Sequence, residues 1–263
     1  MDLHLDDKVA LVTGSTAGIG LEIARKLAVE GARVIVTGRN QAKLDEAVAG
    51  IKASGGARVE GVLADPATAE GAATLLAAVP TVDILVNNLG IYEIKEFAQI
   101  SDEDWRRFFE VNVLSGARLA REYFPGMLKR NQGRVIFISS ESGVSTPAAM
   151  IHYGMTKTAQ LAISRGMAEL TRGTQVTVNS VLPGPTRSEG IVDFLRSTSD
   201  DPSATAEELE TEFFTKHRAT SLLQRMIEPE EIADLVAFVA SPLSAATNGA
   251  ALRVDGGVVT TIA

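Results

Sequence analysis

The sequence predicts an α/β protein built on one parallel sheet, and three features lead to this expectation. Short runs rich in β-branched residues alternate with longer helical patterns from the N-terminus onward, which is typical of strand-helix-strand units. Several of these runs are apolar without alternation, as in strands that helices cover on both faces. The chain has 263 residues, 45% of them hydrophobic, so it can bury one substantial core. We therefore predict a single doubly wound domain over residues 1–263.

The predicted elements are seven strands, six helices and one irregular insertion. The strands lie at residues 8–13, 33–37, 58–64, 83–86, 133–139, 175–181 and 250–254, and the helices at 19–30, 41–53, 67–78, 101–129, 149–172 and 229–240. Ser101 and Asp104 have the spacing of a capping box at the start of the longest helix. Residues 184–222 carry apolar pairs among many carboxylates but no sheet-like run. We expect residues 188–220 to form a helical lid over the substrate.

Composition and charge argue against several classes of function. The net charge of −8 opposes binding to nucleic acid, because phosphate backbones require clustered cations. The chain has no cysteine and three histidines, none paired at ligand spacing on one helix, so we expect no metal site and no serine hydrolase. A strand begins close to the N-terminus, and no apolar run is long enough to cross a membrane. We expect a cytoplasmic protein that does not contact membranes.

A glycine-rich turn connects the first predicted strand to the first helix. Gly14 allows the sharp turn, Gly18 lets backbone amides approach a pyrophosphate, and Gly20 permits close packing of helix and strand. Their position between a strand and a helix predicts a Rossmann-type dinucleotide site, and a P-loop is disfavoured because no Gly-Lys-Ser/Thr follows. The residues of the turn that we assign to cofactor binding are Gly14, Ser15, Thr16, Gly18, Ile19 and Gly20.

The end of the second strand predicts which dinucleotide binds. An NAD enzyme is expected to have an acidic residue there for the ribose 2′-hydroxyl, but the sequence has Arg39 followed by Asn40. A guanidinium in place of a carboxylate favours a 2′-phosphate, so the predicted cofactor is NADP(H), with NAD(H) less favoured. The missing carboxylate also argues against a methyltransferase that uses S-adenosylmethionine.

Four polar residues are candidates for the chemistry. Tyr153 and Lys157 are one helical turn apart, and an ammonium beside a phenol lowers the phenol pKa, which makes a useful general acid and base. Ser140 follows the fifth strand at the edge where α/β sheets bind ligands; Ser139 is the competing candidate, because strand alternation lets only one of the two face the site. Asn112 lies inside a helix, where asparagine is a poor former, so we expect it to have a specific hydrogen-bonding role.

In this order, the motifs resemble those of the short-chain dehydrogenase/reductase family over nearly the full length of the chain. The matching segments are Thr13-Gly-x-x-x-Gly-Ile-Gly20, Asp65 after the third strand, Asn87-Asn-x-Gly90, Asn112, Ser140, Tyr153-x-x-x-Lys157 and Pro183-Gly-Pro-Thr186 after Asn179. Each motif alone is weak evidence for the family, but all of them together, in the correct order, are specific to it. In overall pattern the chain is similar to 3-oxoacyl-carrier-protein reductases.

The resemblance implies a catalytic tetrad of Asn112, Ser140, Tyr153 and Lys157. Tyr153 would exchange a proton with the substrate oxygen, which Ser140 would orient. Lys157 would bind ribose hydroxyls and lower the pKa of Tyr153, and Asn112 would hold a water that relays protons to Lys157. The cofactor-binding residues that the resemblance implies after the glycine turn are Asp65, Asn88, Gly90, Tyr153, Lys157, Pro183, Gly184 and Thr186. It also implies a homotetramer.

Two positions depart from the family pattern. Leu89 stands where the family most often has alanine, and we expect it to crowd the floor of the cofactor site slightly. Pro66 follows Asp65. Because proline is compatible with the first position of a helix, we expect the third helix to start there.

The sequence leaves the substrate open. We expect a ketone or secondary alcohol, with NADPH use favouring reduction, and the acidic insertion disfavours a strongly anionic small substrate unless Arg187 or Arg196 turns inward. One alternative is a 3-oxoacyl-carrier-protein reductase, whose acidic carrier would need a basic patch such as Lys129, Arg130 and Arg172. The others are a catalytically silent NADP(H)-binding sensor and a lyase or isomerase that uses NAD through transient oxidation.

Overall fold

Seven parallel strands form one sheet in the order β3-β2-β1-β4-β5-β6-β7. The computed structural model describes residues 1–188, 191–201 and 203–262. The strands are β1 (Val9–Val12), β2 (Arg33–Gly38), β3 (Val59–Leu63), β4 (Ile84–Asn87), β5 (Gly133–Ile138), β6 (Val176–Pro183) and β7 (Ala251–Val254). Every neighbouring pair is parallel. The predicted seven-stranded parallel sheet is confirmed.

Helices cover both faces of the sheet. They are α1 (Gly18–Val29), α2 (Gln41–Ala53), α3 (Ala69–Ala78), α4 (Asp102–Phe109), α5 (Ser115–Arg130), α6 (Ile151–Glu169), α7 (Ile191–Thr198), α8 (Ala206–Lys216) and α9 (Pro229–Ala240). Successive strand residues point to opposite faces, so β1 sends Ala10 and Val12 into a core with α1, α2 and α9. Leu11 points into the core on the other face, with α3, α5 and α6. Burying Leu11 completely contributes about 2 kcal/mol.

The helix predicted over residues 101–129 is divided in the structure. A single π-helical turn, Glu110–Leu114, separates α4 from α5, and Asn112 lies inside it. The capping box of Ser101 and Asp104 at the start of α4 is confirmed. Because π turns widen a helix locally and are frequent at functional sites, the position of Asn112 in this turn is consistent with a functional role.

The prediction that the third helix starts at Pro66 is wrong. The Asp65 carboxylate accepts a hydrogen bond from Ala67 N at 3.0 Å, which forms a turn directly after β3. Thr68 then caps the helix by accepting from Gly71 N at 3.0 Å, so α3 begins at Ala69. The local side-chain turn at Asp65 delays the helix by three residues.

The irregular insertion is helical, as predicted, and contains α7 and α8. Both helices bury apolar side chains in a small separate cluster of Leu195, Leu209, Phe213, Phe214 and Met226. Residues 189, 190 and 202 of the expected lid lie outside the described residues. None of the helices in the described segments is both long and apolar enough to span a membrane.

Candidate active site

A cavity of about 490 Å³ lies at the carboxyl ends of the central strands, the edge at which open parallel sheets bind ligands. It runs from the turn after β1, past the segments that follow β4, β5 and β6, to the start of α6. Twelve of the predicted site residues line it: Gly14, Gly18, Ile19, Gly20, Asn88, Gly90, Ser140, Tyr153, Lys157, Pro183, Gly184 and Thr186. The fold therefore brings the glycine turn and α6, which carries Tyr153 and Lys157, to one site.

The glycine turn has the geometry of an anion cradle. Gly14 and Gly18 adopt positive φ angles of 62° and 56°, which side chains other than glycine rarely tolerate. A Cβ on Gly20 would lie 2.4 Å from the Gly14 carbonyl oxygen, while a Cβ on Gly18 would meet nothing within 4 Å. Gly20 thus allows close packing and Gly18 leaves open space at the N-terminus of α1. These residues fit the pyrophosphate of a dinucleotide.

Thr13 and Asn88 hold this turn against β4. The Thr13 hydroxyl accepts hydrogen bonds from Asn88 N at 2.9 Å and Leu89 N at 3.0 Å. In return, the Asn88 side-chain amide donates to the carbonyls of Thr13 at 2.9 Å and Gly14 at 3.1 Å. Leu89 packs against Gly14, with its Cα 3.2 Å from the position of an added Cβ. The sequence assigned no role to the Thr13 side chain, which anchors this end of the cavity.

The other six predicted residues lie outside the lining of this cavity: Ser15, Thr16, Arg39, Asn40, Asp65 and Asn112. The Ser15 hydroxyl joins two strands, since it donates to Val12 O at 2.6 Å and accepts from Thr37 N at 2.9 Å. Asn40 caps α2 by accepting from Lys43 N at 3.0 Å. Arg39 is exposed at the end of β2, on the glycine-turn side of the site.

Tyr153, Lys157 and Ser140 meet at the other end of the cavity. Lys157 Nζ lies 5.6 Å from the centre of the Tyr153 ring and donates to Ile138 O at 2.9 Å. Both serines line the cavity, but the Ser139 hydroxyl donates to the backbone carbonyl of Lys157 at 2.8 Å. The Ser140 hydroxyl is the one that acts on the Tyr153 phenol, whose pKa it lowers. The tertiary structure therefore favours Ser140 over Ser139 as the partner of the phenol.

The expectation that Lys157 lowers the pKa of Tyr153 is wrong for this structure. Burial raises the pKa of the Tyr153 phenol far above its ordinary value, and the negative charge of Glu141 raises it further. The hydrogen bond with Ser140 and the charge of Arg218 oppose this rise. Burial also lowers the pKa of Lys157 to about 8, partly offset by Glu141. Loss of water is the largest cause of both shifts.

Asn112 has the specific hydrogen-bonding role that its position predicted. Its side chain forms a paired contact with the backbone of Ile91, accepting from N at 2.8 Å and donating to O at 2.9 Å. It also donates to Thr156 Oγ1 at 3.0 Å. Its backbone carbonyl accepts from Gln160 Nε2 at 2.6 Å, and Gln160 Oε1 lies 3.4 Å from Lys157 Nζ. The link from Asn112 to Lys157 thus runs through the Gln160 amide.

The sequence reasoning missed two charged residues in the cavity. Glu141 is buried, and its carboxylate accepts from Ser140 Oγ and from Ser142 N at 3.0 Å. Arg218, from the segment after α8, lies 3.4 Å from the second Glu141 oxygen and stacks over Phe213 at 5.6 Å. The signal for Glu141 was a carboxylate next to Ser140, shortly after an apolar strand. Arg218 has no sequence signal, because 77 residues separate it from its partner.

Arg187 and Arg196 do not turn inward. Arg187 pairs with Glu210 and Glu228, and Arg196 pairs with Asp193, all with partly exposed side chains. Within the described residues, no group of three or more histidine, aspartate and glutamate side chains could hold a metal ion.

Comparisons with known proteins agree with this geometry. A family model described as short chain dehydrogenase matches residues 8–198. The chain is 50% identical to the uncharacterized oxidoreductase YvaG of Bacillus subtilis, with 100% of both chains covered. It is 31% identical to the 3-oxoacyl-[acyl-carrier-protein] reductase FabG of Aquifex aeolicus, covering 98% of this chain and 100% of that one.

Two solved structures are also similar to this chain in sequence and in fold. L-Sorbose reductase from Gluconobacter frateurii, complexed with NADPH and L-sorbose, matches with a TM-score of 0.92 and 31% identity over 100% of both chains. A variant of actinorhodin polyketide ketoreductase with NADPH matches with a TM-score of 0.87 and 31% identity, covering 97% of this chain and 98% of that one. The chain therefore belongs to the short-chain dehydrogenase family and is an oxidoreductase that acts on alcohol or carbonyl groups.

Proposed function

We propose that the protein is an NADP(H)-dependent reductase of ketones, with Tyr153 as the proton donor. The observation that carries this proposal is the single cavity that joins the glycine turn to Ser140, Tyr153 and Lys157. A dinucleotide whose pyrophosphate bound at Gly18 would have room for its nicotinamide end along this cavity. Two similar structures are named as complexes with NADPH, which supports the choice of cofactor.

The cofactor would be held mainly by backbone groups. Gly14, Gly18 and the first turn of α1 would bind the pyrophosphate, and the exposed Arg39 would bind the 2′-phosphate of the adenosine ribose. Asp65 would contact the adenine, and Thr186 the carboxamide. Bound NADPH supplies a hydride to the carbonyl carbon of the substrate.

The protein side chains supply the proton and orient the substrate oxygen. Burial and the charge of Glu141 raise the pKa of Tyr153, so the phenol is protonated at neutral pH and would be the group that gives its proton to the substrate oxygen. Lys157, with its pKa lowered to about 8, is an ammonium at pH 7 that binds ribose hydroxyls. Ser140 orients the substrate oxygen against the phenol.

The cavity favours an uncharged ketone with an apolar part. Its outer wall carries the aromatic rings of Tyr92, Phe194 and Phe213, which pack edge to face. In the basic patch considered for an acidic carrier, Arg172 lies 3.5 Å from Glu169, and Arg130 donates to a backbone carbonyl. A carrier-bound substrate is therefore not part of the proposal. Closure of residues 188–220 as a lid, a cytoplasmic location and a homotetramer stay predictions.

The proposal is tested by NADPH oxidation with a panel of ketones. We expect the wild type to reduce at least one of them, and Tyr153→Phe to lower kcat by about 10³-fold because the proton donor is gone. NADPH fluorescence should show that this variant still binds the cofactor. Tyr92→Phe is the matched control, since it removes a hydroxyl from a half-exposed residue whose ring packs edge to face on Tyr153. Binding without turnover on any ketone in the wild type would favour the sensor alternative.

The cofactor preference is tested separately by Arg39→Asp. A carboxylate would repel the 2′-phosphate and accept a hydrogen bond from a 2′-hydroxyl. We expect the variant to weaken NADPH binding by at least about 10-fold while NADH binding stays equal or improves. Titrations of both cofactors by fluorescence measure this. Equal losses for the two cofactors would contradict a role for Arg39 at the 2′-phosphate.

A further inference from the structure

Two oppositely charged side chains, those of Glu141 and Arg218, face each other in the wall of the reaction cavity. They are well buried, with 6% and 18% of the side chains exposed. Their closest contact joins Glu141 Oε1 to Arg218 Nη2 at 3.4 Å. This is longer than the distance of about 2.8 Å that is usual for hydrogen bonds between charged groups. The contact therefore leaves room for a third group to bind to both side chains.

Other contacts hold both side chains in place. Glu141 Oε2 accepts hydrogen bonds from Ser140 Oγ and Ser142 N, which leaves Oε1 directed at the guanidinium. Arg218 stacks over Phe213 at 5.6 Å, and its Nη1 atom donates to a backbone carbonyl at 2.8 Å. A guanidinium has five N–H donors, and the hydrogen bonds within the described residues use two of those of Arg218. An acceptor and several donors are thus available to a ligand in fixed positions.

This pair lies next to the groups that would hold the substrate carbonyl. Ser140, which would orient the carbonyl oxygen, donates to the Glu141 carboxylate. The positive charge of Arg218 lowers the pKa of Tyr153, so the guanidinium is close enough to act on the phenol. A substrate whose oxygen lies between Ser140 and Tyr153 therefore has the carbon atoms beside its carbonyl near the pair.

The charges of the pair restrict which substituent the substrate can carry at this point. An alkyl group would remove water from both side chains without replacing its hydrogen bonds, which is costly. A carboxylate would be attracted by Arg218 but repelled by Glu141. A hydroxyl group can donate to Glu141 Oε1 and accept from Arg218 Nη2 at the same time. The pair therefore favours an uncharged substrate with a hydroxyl group.

The aromatic wall of the cavity suits the carbon chain of such a substrate. The ring of Phe213, on which Arg218 stacks, packs edge to face on Phe194 with 6.1 Å between the ring centres. Phe194 in turn packs on Tyr92 at 6.1 Å. Aromatic rings offer large apolar surfaces, against which the C–H groups of a hydroxylated chain can pack. Few polar groups in an aromatic-lined cleft are the usual means of orienting a small ligand.

We propose, on the basis of the reductase function above, that the substrate is a polyhydroxylated ketone and that Glu141 and Arg218 bind a hydroxyl group beside its carbonyl. The distance of 3.4 Å between Oε1 and Nη2 lets one hydroxyl oxygen lie about 2.8 Å from both atoms. The carbonyl oxygen remains at Ser140 and Tyr153. The pair determines specificity and leaves the transfer of hydride and proton to the cofactor and Tyr153.

The experiment compares the reduction of erythrulose and 2-butanone, which share a carbon chain and carbonyl position and differ only in hydroxyl groups. We expect the wild type to have a kcat/KM at least about 100-fold higher for erythrulose. Arg218→Met keeps a chain that can pack on Phe213 but has no donor, so it should reduce this preference at least about 10-fold. Arg196→Met removes a partly exposed guanidinium that pairs with Asp193 and is the matched control, which should keep the preference.

A second readout does not depend on turnover. Saturation-transfer NMR on the protein with NADPH should show binding of erythritol, an uncharged polyol with the same carbon chain. The signal should fall in Arg218→Met and persist in Arg196→Met. NADPH fluorescence, measured on each variant, shows whether it has folded with an intact cofactor site.

The proposal is overturned if the wild type reduces 2-butanone as well as erythrulose, if Arg218→Met keeps the wild-type preference, or if erythritol does not bind. A preference for 2-oxobutanoate over erythrulose would also overturn it, since Arg218 would then bind a carboxylate. Failure of the reductase function itself looks different, because the wild type would reduce no ketone while erythritol still bound in a manner that depends on Arg218.

Discussion

The two ends of the cavity are built from different chemical groups. At the glycine-turn end, backbone atoms and neutral side chains do the work, with Gly14 and Gly18 shaping the turn and Thr13 and Asn88 holding it. At the tyrosine end, buried charged or titratable groups determine the properties of the site, where burial shifts the pKa values of Tyr153 and Lys157 and the charge of Glu141 raises both. The structure of the glycine-turn end should be insensitive to pH but should be disrupted by a larger side chain. The properties of the tyrosine end should change with pH and with the loss of a charged group.

The largest effect on stability is expected from Gly20→Ala. The new Cβ would lie 2.4 Å from the Gly14 carbonyl oxygen, so the backbone of the turn must move. We expect a loss of about 3 kcal/mol in the free energy of unfolding, measured in urea, together with loss of NADPH binding.

Gly50→Ala is the matched control, because a Cβ at this position in α2 meets nothing within 4 Å. It should stabilise the protein by up to about 1 kcal/mol. Similar behaviour of the two variants would show that the turn is not tightly packed.

Lys157→Met tests the role of buried charge at the tyrosine end of the cavity. The folded state lowers the pKa of Lys157 from 10.5 to about 8, so it binds fewer protons than the unfolded state between those pH values. Wild-type stability therefore rises with pH across this window, and below pH 8 the full cost of the buried ammonium is present. We expect the variant to be inactive but more stable at pH 7 by about 2 kcal/mol, with the gain shrinking toward pH 10.

Urea unfolding at pH 7 and pH 10 measures this gain. The upper limit that the pKa difference sets is about 3 kcal/mol, and the variant also loses the hydrogen bond to Ile138. Lys43→Met, at an exposed position of α2, should show no such gain. A gain that is the same at both pH values would mean that burial of the charge is not its cause.

The smallest effect is expected from Asn88→Ala. This change removes two hydrogen bonds that hold the turn, to the carbonyls of Thr13 and Gly14. We expect a loss of about 1 kcal/mol in stability and weaker NADPH binding, with the same loss at pH 6 and pH 9 because the bonds join neutral groups. A loss that changed with pH would contradict the contrast between the two ends.

The order of strands and helices followed from the sequence because it depends on local patterns. The β-branched runs and the helical periods predicted every strand to within two residues at each end, and α2 and α9 at their observed bounds. Residues 101–129 were misjudged as one helix, since their periodicity continues through the π turn around Asn112. The start of α3 was misjudged because the Asp65 side chain competes with the helix for backbone amides.

The sequence by itself determined the glycine turn and the spacing of Tyr153 and Lys157, because both depend on residues near one another in the chain. Tertiary structure alone placed the Glu141 carboxylate against Ser140 and brought Arg218 to it from 77 residues away. It also reversed the expected shift in the pKa of Tyr153. A pKa depends on burial and on charges in space, and neither is encoded in the spacing of residues along one helix.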